Sequence, residues 1–418
     1  MFANGKGEIL DYEGLSMAGG TGGSFVSPSP DDLIELPEGS DLFVLPDRLP
    51  IGIEPDTGEP ALLDENPYEP GDKAFAVAAF MAPAHTAVYS TAYHTVQENI
   101  KILPLFAYTA VGWLAGKFWV AGFRSDADCR QDIGNFNQRE IKNKTLKKLK
   151  AKPHNRLIQH LGKCCLTYGC PAARNYFLGR WEAPLPTSPI CNAACIGCIS
   201  LQPSGCCPAT QDRIQFVPKP IEIEEIAVPH LEEAERAIVS FGQGCEGEPL
   251  LQADTIEASI KRIRAKTSKG TINLNTNAGI SSAVKKLSDA GLDSIRISMN
   301  SARLEFHSRY YQPKGFTLDN VKQSAGIMKE AGKHVSLNYF ILPGFTDDPD
   351  EFAALCAFID TCNPDLIQLR NLNMDPLHYL RCLKHNSDKK TMGIQVWLRE
   401  LRARYPHLRF GYFNPPLR

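Results

Sequence analysis

From about residue 184 onward, short apolar stretches bounded by Gly, Asn and Pro alternate with amphipathic helical patterns. This alternation predicts a parallel sheet whose strands are joined by right-handed helical crossovers. The predicted strands cover residues 184–188, 237–241, 270–275, 294–299, 334–341 and 366–372. Six strand–helix units form an α/β fold that completes three-quarters of an eight-stranded barrel. In such barrels the catalytic groups lie at the carboxyl ends of the strands.

A short loop after the first predicted strand carries three cysteines. Cys191, Cys195 and Cys198 have the spacing C-x3-C-x2-C. Three thiolates on one loop can each hold one iron of a cubane cluster, which leaves the fourth iron open to an exogenous molecule. A zinc knuckle is the alternative interpretation, but structural zinc sites usually have four protein ligands in two paired knuckles. The loop therefore predicts a [4Fe–4S] cluster with one open iron.

This cysteine spacing resembles the cluster motif of the radical S-adenosylmethionine (SAM) superfamily. The resemblance implies a partial (β/α)6 TIM-like barrel and an open iron that binds the amino and carboxylate groups of SAM. It also implies that a reduced cluster cleaves the S–C5′ bond of SAM, and that the resulting 5′-deoxyadenosyl radical abstracts a hydrogen from the substrate. The resemblance covers roughly residues 180–380. It identifies a superfamily and not an activity.

Polar or glycine residues follow the successive predicted strands, where the resemblance places SAM. The stretch Glu246-Gly247-Glu248-Pro249 is similar to the family's G-G-E-P motif, with Glu246 in place of the first glycine. A second departure is Gly197, since the family usually has an aromatic residue before the third cysteine. The residues that the resemblance assigns to SAM binding are Gly247, Glu248, Pro249, Thr276, Asn277, Arg296, Ser298, Asn300, Ser336 and Gly344.

The chain has 13 cysteines, and many of them lie close to the three-cysteine loop. A disulfide framework requires a secreted context, whereas the N-terminal residues have no apolar signal-peptide core. Ligation of a metal or cluster in a reducing cytoplasm is therefore the prediction. The flanking cysteines predict a second redox site, an auxiliary iron–sulfur cluster or reactive thiols, with ordinary burial as the alternative. These flanking residues are Cys164, Cys165, Cys170, Cys206 and Cys207.

The N-terminal region has a different character. Residues 1–70 are rich in Gly, Pro and acidic residues, and strand-like segments follow at 74–80, 87–94, 103–111 and 117–124. These segments predict a small antiparallel sheet. The apolar stretch 102–123 contains Lys117, which would cost about 2.5–3.5 kcal/mol at a bilayer centre. We therefore expect a hairpin there and no membrane span.

These patterns divide the chain into four predicted segments. Residues 1–136 form a β-rich N-terminal domain, and 137–180 form a basic helical linker with cysteines. Residues 181–385 form the radical SAM core, and 386–418 add a C-terminal helix and strand that complete it. The linker is rich in lysine, which suits RNA phosphates. A solvated linker helix is the plainer interpretation.

The predicted function is that of a cytoplasmic, anaerobic radical SAM enzyme that acts on a peptide, a protein or a small metabolite. Its cofactors would be a [4Fe–4S] cluster and SAM, and its electron donor a protein such as flavodoxin or ferredoxin. One alternative is a radical SAM enzyme that modifies RNA. Another is a non-catalytic iron–sulfur or zinc protein that binds a partner. Formation of 5′-deoxyadenosine by the reduced protein separates this last alternative from the other two.

Overall fold

The computed structural model describes residues 1–97, 100–202, 205, 207–386 and 389–418. These residues form two compact units. Unit 1 comprises Met1–Ala127, Phe340–Cys356 and Leu369–Pro406, and unit 2 comprises Asp128–Tyr339, Ala357–Gln368 and His407–Arg418. The four segments predicted from the sequence stay a prediction.

Unit 1 consists largely of short strands that pair antiparallel. In the described part of the chain these strands are β1 (Phe2–Ala3), β2 (Ile9–Leu10), β3 (Ser16–Met17), β4 (Gly19–Thr21), β5 (Ser24–Val26), β6 (Leu33–Glu35), β7 (Asp41–Leu45), β8 (Arg48–Ile53), β9 (Pro60–Leu62), β10 (Ala76–Phe80), β11 (His85–Ala87), β12 (Ser90–Thr91), β13 (Tyr93–Thr95), β14 (Thr109–Leu114) and β15 (Lys117–Arg124). The largest sheet is built around β10, β14 and β15, and a smaller one around β8. The predicted β-rich N-terminal region is confirmed.

The apolar stretch at 102–123 contains a hairpin, as the sequence predicts. Strands β14 and β15 pair antiparallel, with Leu114 opposite Lys117. The two turn residues, Ala115 and Gly116, both have positive φ values, 51° and 78°. Positive φ at both central residues is the geometry of a two-residue type I′ turn, which matches the twist of the paired strands. Among the described residues, no helix is long and apolar enough to cross a membrane.

The helices and the parallel strands follow in chain order. Over the described residues, the helices are α1 (Gln138–Ala151), α2 (Arg156–Leu166), α3 (Pro171–Leu178), α4 (Pro220–Glu233), α5 (Ala253–Arg264), α6 (Ser281–Ala290), α7 (Leu304–Tyr311), α8 (Leu318–Glu330), α9 (Pro349–Cys362), α10 (Pro376–Leu383) and α11 (Ile394–Arg404). The remaining strands are β16 (Glu182–Pro184), β17 (Ile238–Phe241), β18 (Thr271–Thr276), β19 (Ser294–Met299), β20 (His334–Ile341), β21 (Leu366–Asn371) and β22 (Arg409–Gly411).

Strands β16 to β22 form one curled parallel sheet in chain order. The partial TIM-like barrel predicted from the sequence is therefore confirmed. The described sheet has seven strands. Six correspond to the predicted strand–helix units, and the seventh, β22, lies in the C-terminal segment and pairs with β21 at the edge of the sheet. Every residue of β17 and β18 is buried, as expected for a parallel sheet that is covered on both faces.

The first strand begins two residues before the predicted range 184–188 and is shorter. β16 ends at Pro184, and Leu185 N adds one further hydrogen bond to the Ser240 carbonyl at 2.8 Å. Residues 186–188 then leave the sheet, so the three-cysteine loop begins near its carboxyl edge. Helix α4 was not predicted, and Pro229 lies inside it. A proline inside a helix removes one backbone hydrogen bond, which weakens the helical signal in the sequence.

Candidate functional site

The three-cysteine loop follows β16 in unit 2 and is held through its backbone. Ala194 N donates a hydrogen bond to the Tyr311 carbonyl at 2.9 Å, and Ile196 N donates to the Tyr310 carbonyl at 3.1 Å. Both carbonyls lie at the end of α7. Because these contacts use backbone groups, the cysteine side chains of the loop remain available as ligands.

The thiols of the loop are close enough to influence one another electrostatically. Burial, followed by the Glu248 carboxylate, raises the pKa of the Cys191 thiol to about 11. Burial and the two neighbouring cysteines raise the pKa of the Cys195 thiol well above its usual value. Iron binds the thiolate form, so the positive charge of bound iron has to offset this cost.

Arg213 is a basic residue beside the loop that the sequence pattern did not reveal. Its guanidinium Nη2 lies 3.4 Å from Cys198 Sγ, and its Nε donates to the Ser200 hydroxyl at 3.1 Å. The Arg213 guanidinium is therefore within hydrogen-bonding distance of one thiol of the loop. No motif marks Arg213, since it lies 15 positions beyond Cys198 in an irregular segment.

Glu246 stands where the family motif has a glycine, and its buried carboxylate joins the loops after β16 and β17. The carboxylate accepts hydrogen bonds from Thr187 N at 2.8 Å, Ser188 N at 2.9 Å and Gln243 N at 2.7 Å. Burial raises the pKa of Glu246 to about 7, while these donors act in the opposite direction. A glycine has no side chain to make these contacts, so the substitution adds a direct link to the segment that precedes the cysteines.

Glu248 and Asn277 connect the strand ends to the cysteine loop. Glu248 N donates to the Ile190 carbonyl at 2.9 Å, and the Glu248 carboxylate accepts from Asn277 N at 2.9 Å and from the Thr276 hydroxyl. Asn277 Nδ2 in turn donates to Oδ1 of Asn192, inside the cysteine motif, at 2.7 Å. Burial raises the pKa of Glu248 to about 7. The structure therefore brings together the predicted residues that follow β17 and β18.

Gly247 is required by the close approach of two backbone segments. A Cβ atom at this position would lie 2.0 Å from the Ile190 carbonyl oxygen. Gly247 N also donates to the Ser188 carbonyl at 2.7 Å. Only glycine allows this approach without displacing the neighbouring backbone. Pro249, two positions after Gly247, begins a short 3₁₀ helix, Pro249–Gln252.

The predicted residues on β19 and β20 lie opposite one another. In the register of the two strands, Arg296 pairs with Ser336 and Ser298 pairs with Asn338. Arg296 and Ser298 are partly buried and alternate with fully buried isoleucines, so they share one face of β19. Arg296 Nη1 donates to Oε1 of Gln368 at 3.2 Å. The predicted SAM residues of β19 and β20 are therefore neighbours in the sheet.

A network of polar side chains, mostly buried, extends across the sheet of unit 2. Its hydrogen-bonded members are Glu182, Ser240, Asn273, Asn275, Ser294, Gln368 and Asn414. Asn414 Nδ2 donates to Glu182 at 2.8 Å, and Gln368 Nε2 donates to Asn414 at 2.9 Å. Since Gln368 also accepts from Arg296, the network includes a predicted SAM residue. Sequence reasoning missed it, although Asn273 and Asn275 in a buried strand were a usable signal.

Two further predicted SAM residues have structural contacts of their own. Asn300 is buried, and its Nδ2 donates to the Phe306 carbonyl at 3.3 Å, within α7. Gly344 belongs to unit 1, where its N donates to Asp347 Oδ1 at 2.6 Å. A Cβ atom on Gly344 would lie 1.8 Å from Gly22 N, so close packing explains this glycine. Their assignment to SAM stays a prediction.

The flanking cysteines do not share one environment. Cys165 is buried, and its Sγ lies 3.4 Å from the Thr145 hydroxyl. Cys170 is the N-cap of α3, and Cys207 is buried. Cys206 lies outside the described residues. A second iron–sulfur cluster on this set of cysteines stays a prediction.

Cys164, the remaining flanking cysteine, lies with two residues that the sequence did not connect to it. The ligand atoms of His160, Cys164 and Cys245 all lie within 4.8 Å of one another. Hydrogen bonds from Cys245 and His160 lower the pKa of the Cys164 thiol to about 5. No sequence motif connects Cys245, which directly precedes Glu246, to the other two residues.

The basic helices of the predicted linker are partly neutralised within unit 2. Lys144 pairs with Glu140 at 2.7 Å, and Lys152 pairs with Glu225 at 3.2 Å. The Lys148 ammonium lies 4.0 Å from the centroid of the Tyr176 ring. These contacts support the interpretation of a solvated, ion-paired helix. RNA binding stays a prediction.

Comparison with known families agrees with this geometry. The model of the radical SAM superfamily matches residues 185–356, a range that includes the three-cysteine loop, the motif after β17 and strands β18 to β20. Residues 185–356 are therefore identified as a radical SAM domain. Such a domain implies SAM and an iron–sulfur cluster. The three loop thiols form a ligand set that suits a cluster, and the Arg213 guanidinium lies beside one of them. Enzymes of this superfamily also need a reductant and a substrate.

Several solved structures resemble the chain at low identity. Native anSMEcpe with bound AdoMet is 18% identical, with 54% of this chain and 59% of that chain covered and a TM-score of 0.39. The FeFe-hydrogenase maturase HydG from Carboxydothermus hydrogenoformans is 15% identical, with 66% and 71% covered and a TM-score of 0.38. Streptococcus suis SuiB bound to S-adenosylmethionine is 15% identical, with 77% and 73% covered and a TM-score of 0.38. No curated protein matches this chain.

Proposed function

We propose that this enzyme holds a [4Fe–4S] cluster on Cys191, Cys195 and Cys198, cleaves SAM reductively and abstracts a hydrogen atom from its substrate. The substrate is a peptide, a protein or a small metabolite. The electron comes from a small redox protein such as flavodoxin or ferredoxin. The chain spans 59% of anSMEcpe, so the whole protein's activity is part of the proposal.

One observation carries the proposal. The side chain of Asn277, at the end of β18, donates to Asn192 inside the cysteine motif at 2.7 Å. The backbone of Glu248 donates to the Ile190 carbonyl, directly before Cys191, at 2.9 Å. The cysteine loop and the strand-end motifs are therefore one hydrogen-bonded assembly. A cluster on this loop would lie beside the strand ends, where barrel enzymes bind their ligands.

The residues of the chain have distinct roles in this scheme. When bound, the cluster and SAM together supply a 5′-deoxyadenosyl radical. Glu248 is held in place by three donors, and its carboxylate oxygens have lone pairs left to accept an ammonium group. Arg296 offers a guanidinium for a carboxylate. Ser298 and Asn338, paired across β19 and β20, offer polar groups for hydroxyls.

Reconstitution under anaerobic conditions tests the proposal. Protein loaded with iron and sulfide, then reduced with dithionite or flavodoxin in the presence of SAM, is expected to form 5′-deoxyadenosine. The triple variant C191A/C195A/C198A is expected to lose the cluster absorbance and all product. The variant Cys362→Ala, which changes a buried cysteine of α9, is the matched control and is expected to keep both. Full 5′-deoxyadenosine formation by the triple variant would contradict the assignment.

A further inference from the structure

A second group of metal-binding side chains lies outside the three-cysteine loop. His160 and Cys164 are four residues apart on α2, so they lie on the same face of that helix. Cys245 comes from the loop after β17. Cys164 is 1% exposed and Cys245 is 5% exposed. Two buried thiols and one imidazole, from one helix and one loop, therefore converge on one point.

The spacing of this group fits a single metal ion. His160 Nε2 lies 3.5 Å from Cys164 Sγ. In a tetrahedral zinc site with Zn–S of about 2.3 Å and Zn–N of about 2.0–2.1 Å, the nitrogen and sulfur ligands are about 3.6 Å apart. The two distances agree, and all ligand atoms of the group lie within 4.8 Å of one another.

The same spacing argues against a cubane cluster at this place. In a cubane each thiolate binds a different iron, so the thiolates are held farther apart than around one ion. Among the described residues, His160, Cys164 and Cys245 are the one group of three that meets the 4.8 Å spacing. The cysteines of the loop do not meet it. The two sites thus differ in the type of metal centre that their geometry favours.

We propose that His160, Cys164 and Cys245 bind one divalent metal ion of tetrahedral preference, with Zn²⁺ the best fit. Two thiolates and one imidazole are ligands that zinc prefers. They leave one tetrahedral position for water. This site goes beyond the proposed radical chemistry and does not depend on it.

The ion would connect α2 to the segment that positions the cluster loop. Cys245 is followed directly by Glu246, whose carboxylate accepts from Thr187 N and Ser188 N ahead of the cysteines. Glu248, three positions after Cys245, contacts Asn277. An ion that binds only the folded chain stabilises it by mass action. Its binding would therefore stabilise the loop on which the proposed SAM contacts depend.

Metal binding in the full-length C191A/C195A/C198A variant tests this site separately from the radical SAM cluster. The metal-free variant is titrated with Co²⁺, which takes the same tetrahedral geometry and reports thiolate ligation by its absorption. We expect one Co²⁺ per chain with a thiolate-to-cobalt charge-transfer band, and its displacement by Zn²⁺. Adding Cys164→Ala or Cys245→Ala should weaken binding at least tenfold. Cys165→Ala, a change of the adjacent buried cysteine on α2, is the matched control and should leave binding unchanged.

A measurement without further substitutions guards against misfolding of the variants. In otherwise unchanged protein, Zn²⁺ should protect Cys164 and Cys245 from alkylation, as read by mass spectrometry, while exposed Cys129 still reacts. Absence of cobalt binding, or binding that survives Cys164→Ala, would overturn the proposal. So would about four irons with sulfide in the triple variant, since these would indicate a cluster. If protein with intact loop cysteines forms no 5′-deoxyadenosine while the triple variant binds cobalt as expected, the metal site is supported and only the proposed function is contradicted.

Discussion

The two units bury polar groups in different ways. In unit 1, Arg48 and Asp375 are 1% and 2% exposed and form an ion pair at 2.7 Å. Asp375 also accepts from Leu103 N at 3.0 Å. In unit 2, the buried groups that extend across the sheet are mainly neutral amides and hydroxyls, such as Asn273 and Ser294, which are joined at 2.8 Å. The contrast is therefore between an enclosed ion pair in unit 1 and, in unit 2, a network across the sheet that is neutral apart from the Glu182 carboxylate.

This difference matches the roles that we propose for the two sets of residues, a structural ion pair in unit 1 and SAM-binding groups in unit 2. Both members of the Arg48–Asp375 pair are enclosed by protein, so the pair offers nothing to a ligand. The network of unit 2 reaches Arg296, which is only partly buried, as is Ser298 on the same strand face. Neutral amides and hydroxyls carry a small desolvation cost compared with charges. They can therefore line a site that also has to accept a charged cofactor.

Breaking the ion pair of unit 1 should have the largest effect on stability. We expect Asp375→Ala to lower the free energy of unfolding by about 3–5 kcal/mol, because it leaves the Arg48 guanidinium buried and unpaired. Denaturant unfolding measures this change. The control is Lys117→Ala, which removes an exposed ion pair with Glu35 and should cost about 0–1 kcal/mol. A loss of less than about 1 kcal/mol for Asp375→Ala would show that the pair is solvated.

A smaller effect, on SAM affinity, should follow from cutting the link between Asn192 and Asn277. We expect Asn277→Ala to raise the Kd for SAM about tenfold, which corresponds to about 1.4 kcal/mol, a typical value for one hydrogen bond. Asn192→Ala should have a similar effect. Calorimetry on the cluster-loaded protein measures both.

The double variant gives the control for this prediction. If the two amides act through their mutual hydrogen bond, N192A/N277A should be little worse than either single variant. Fully additive losses would mean that each side chain acts on SAM independently. Asp375→Ala, in the other unit, should leave the SAM Kd of the folded fraction unchanged.

The smallest effect concerns pH and a buried histidine of unit 2. Burial lowers the pKa of His230 to about 4, and its Nε2 lies 2.7 Å from the Trp181 carbonyl. The unfolded value is about 6.5, so the unfolded chain binds the extra proton first. The contribution to stability is present above pH 6.5 and is lost as the pH falls toward 4, by up to about 1.4 kcal/mol per pH unit.

Urea unfolding at several pH values between 7 and 4.5 checks this prediction. We expect His230→Gln to reduce the dependence of the unfolding free energy on pH by up to about 1.4 kcal/mol per pH unit, the contribution of one proton. His154→Gln, a change of an exposed histidine, is the matched control. An identical slope in wild type and His230→Gln would show that His230 titrates alike in both states.

Much of the fold could be predicted from local sequence patterns. The buried strands β19 and β20 coincide with the predicted ranges 294–299 and 334–341. The hairpin of β14 and β15 was also correct, because Lys117 and the glycines around it exclude a membrane span and favour a tight turn. The prediction placed the first strand at 184–188, whereas β16 is Glu182–Pro184. The apolar Leu185 follows the last paired residue, so the apolar pattern extends beyond the strand.

The sequence by itself determined the radical SAM domain, because three thiols at C-x3-C-x2-C spacing and strand–helix periodicity are local features. Only the tertiary structure placed Arg213 against Cys198, Asn414 beside Glu182, and Cys245 against His160 and Cys164. These partners are far apart in the chain and meet through helix packing and strand order. Local sequence patterns do not predict such contacts, because these residues come together only when the chain folds.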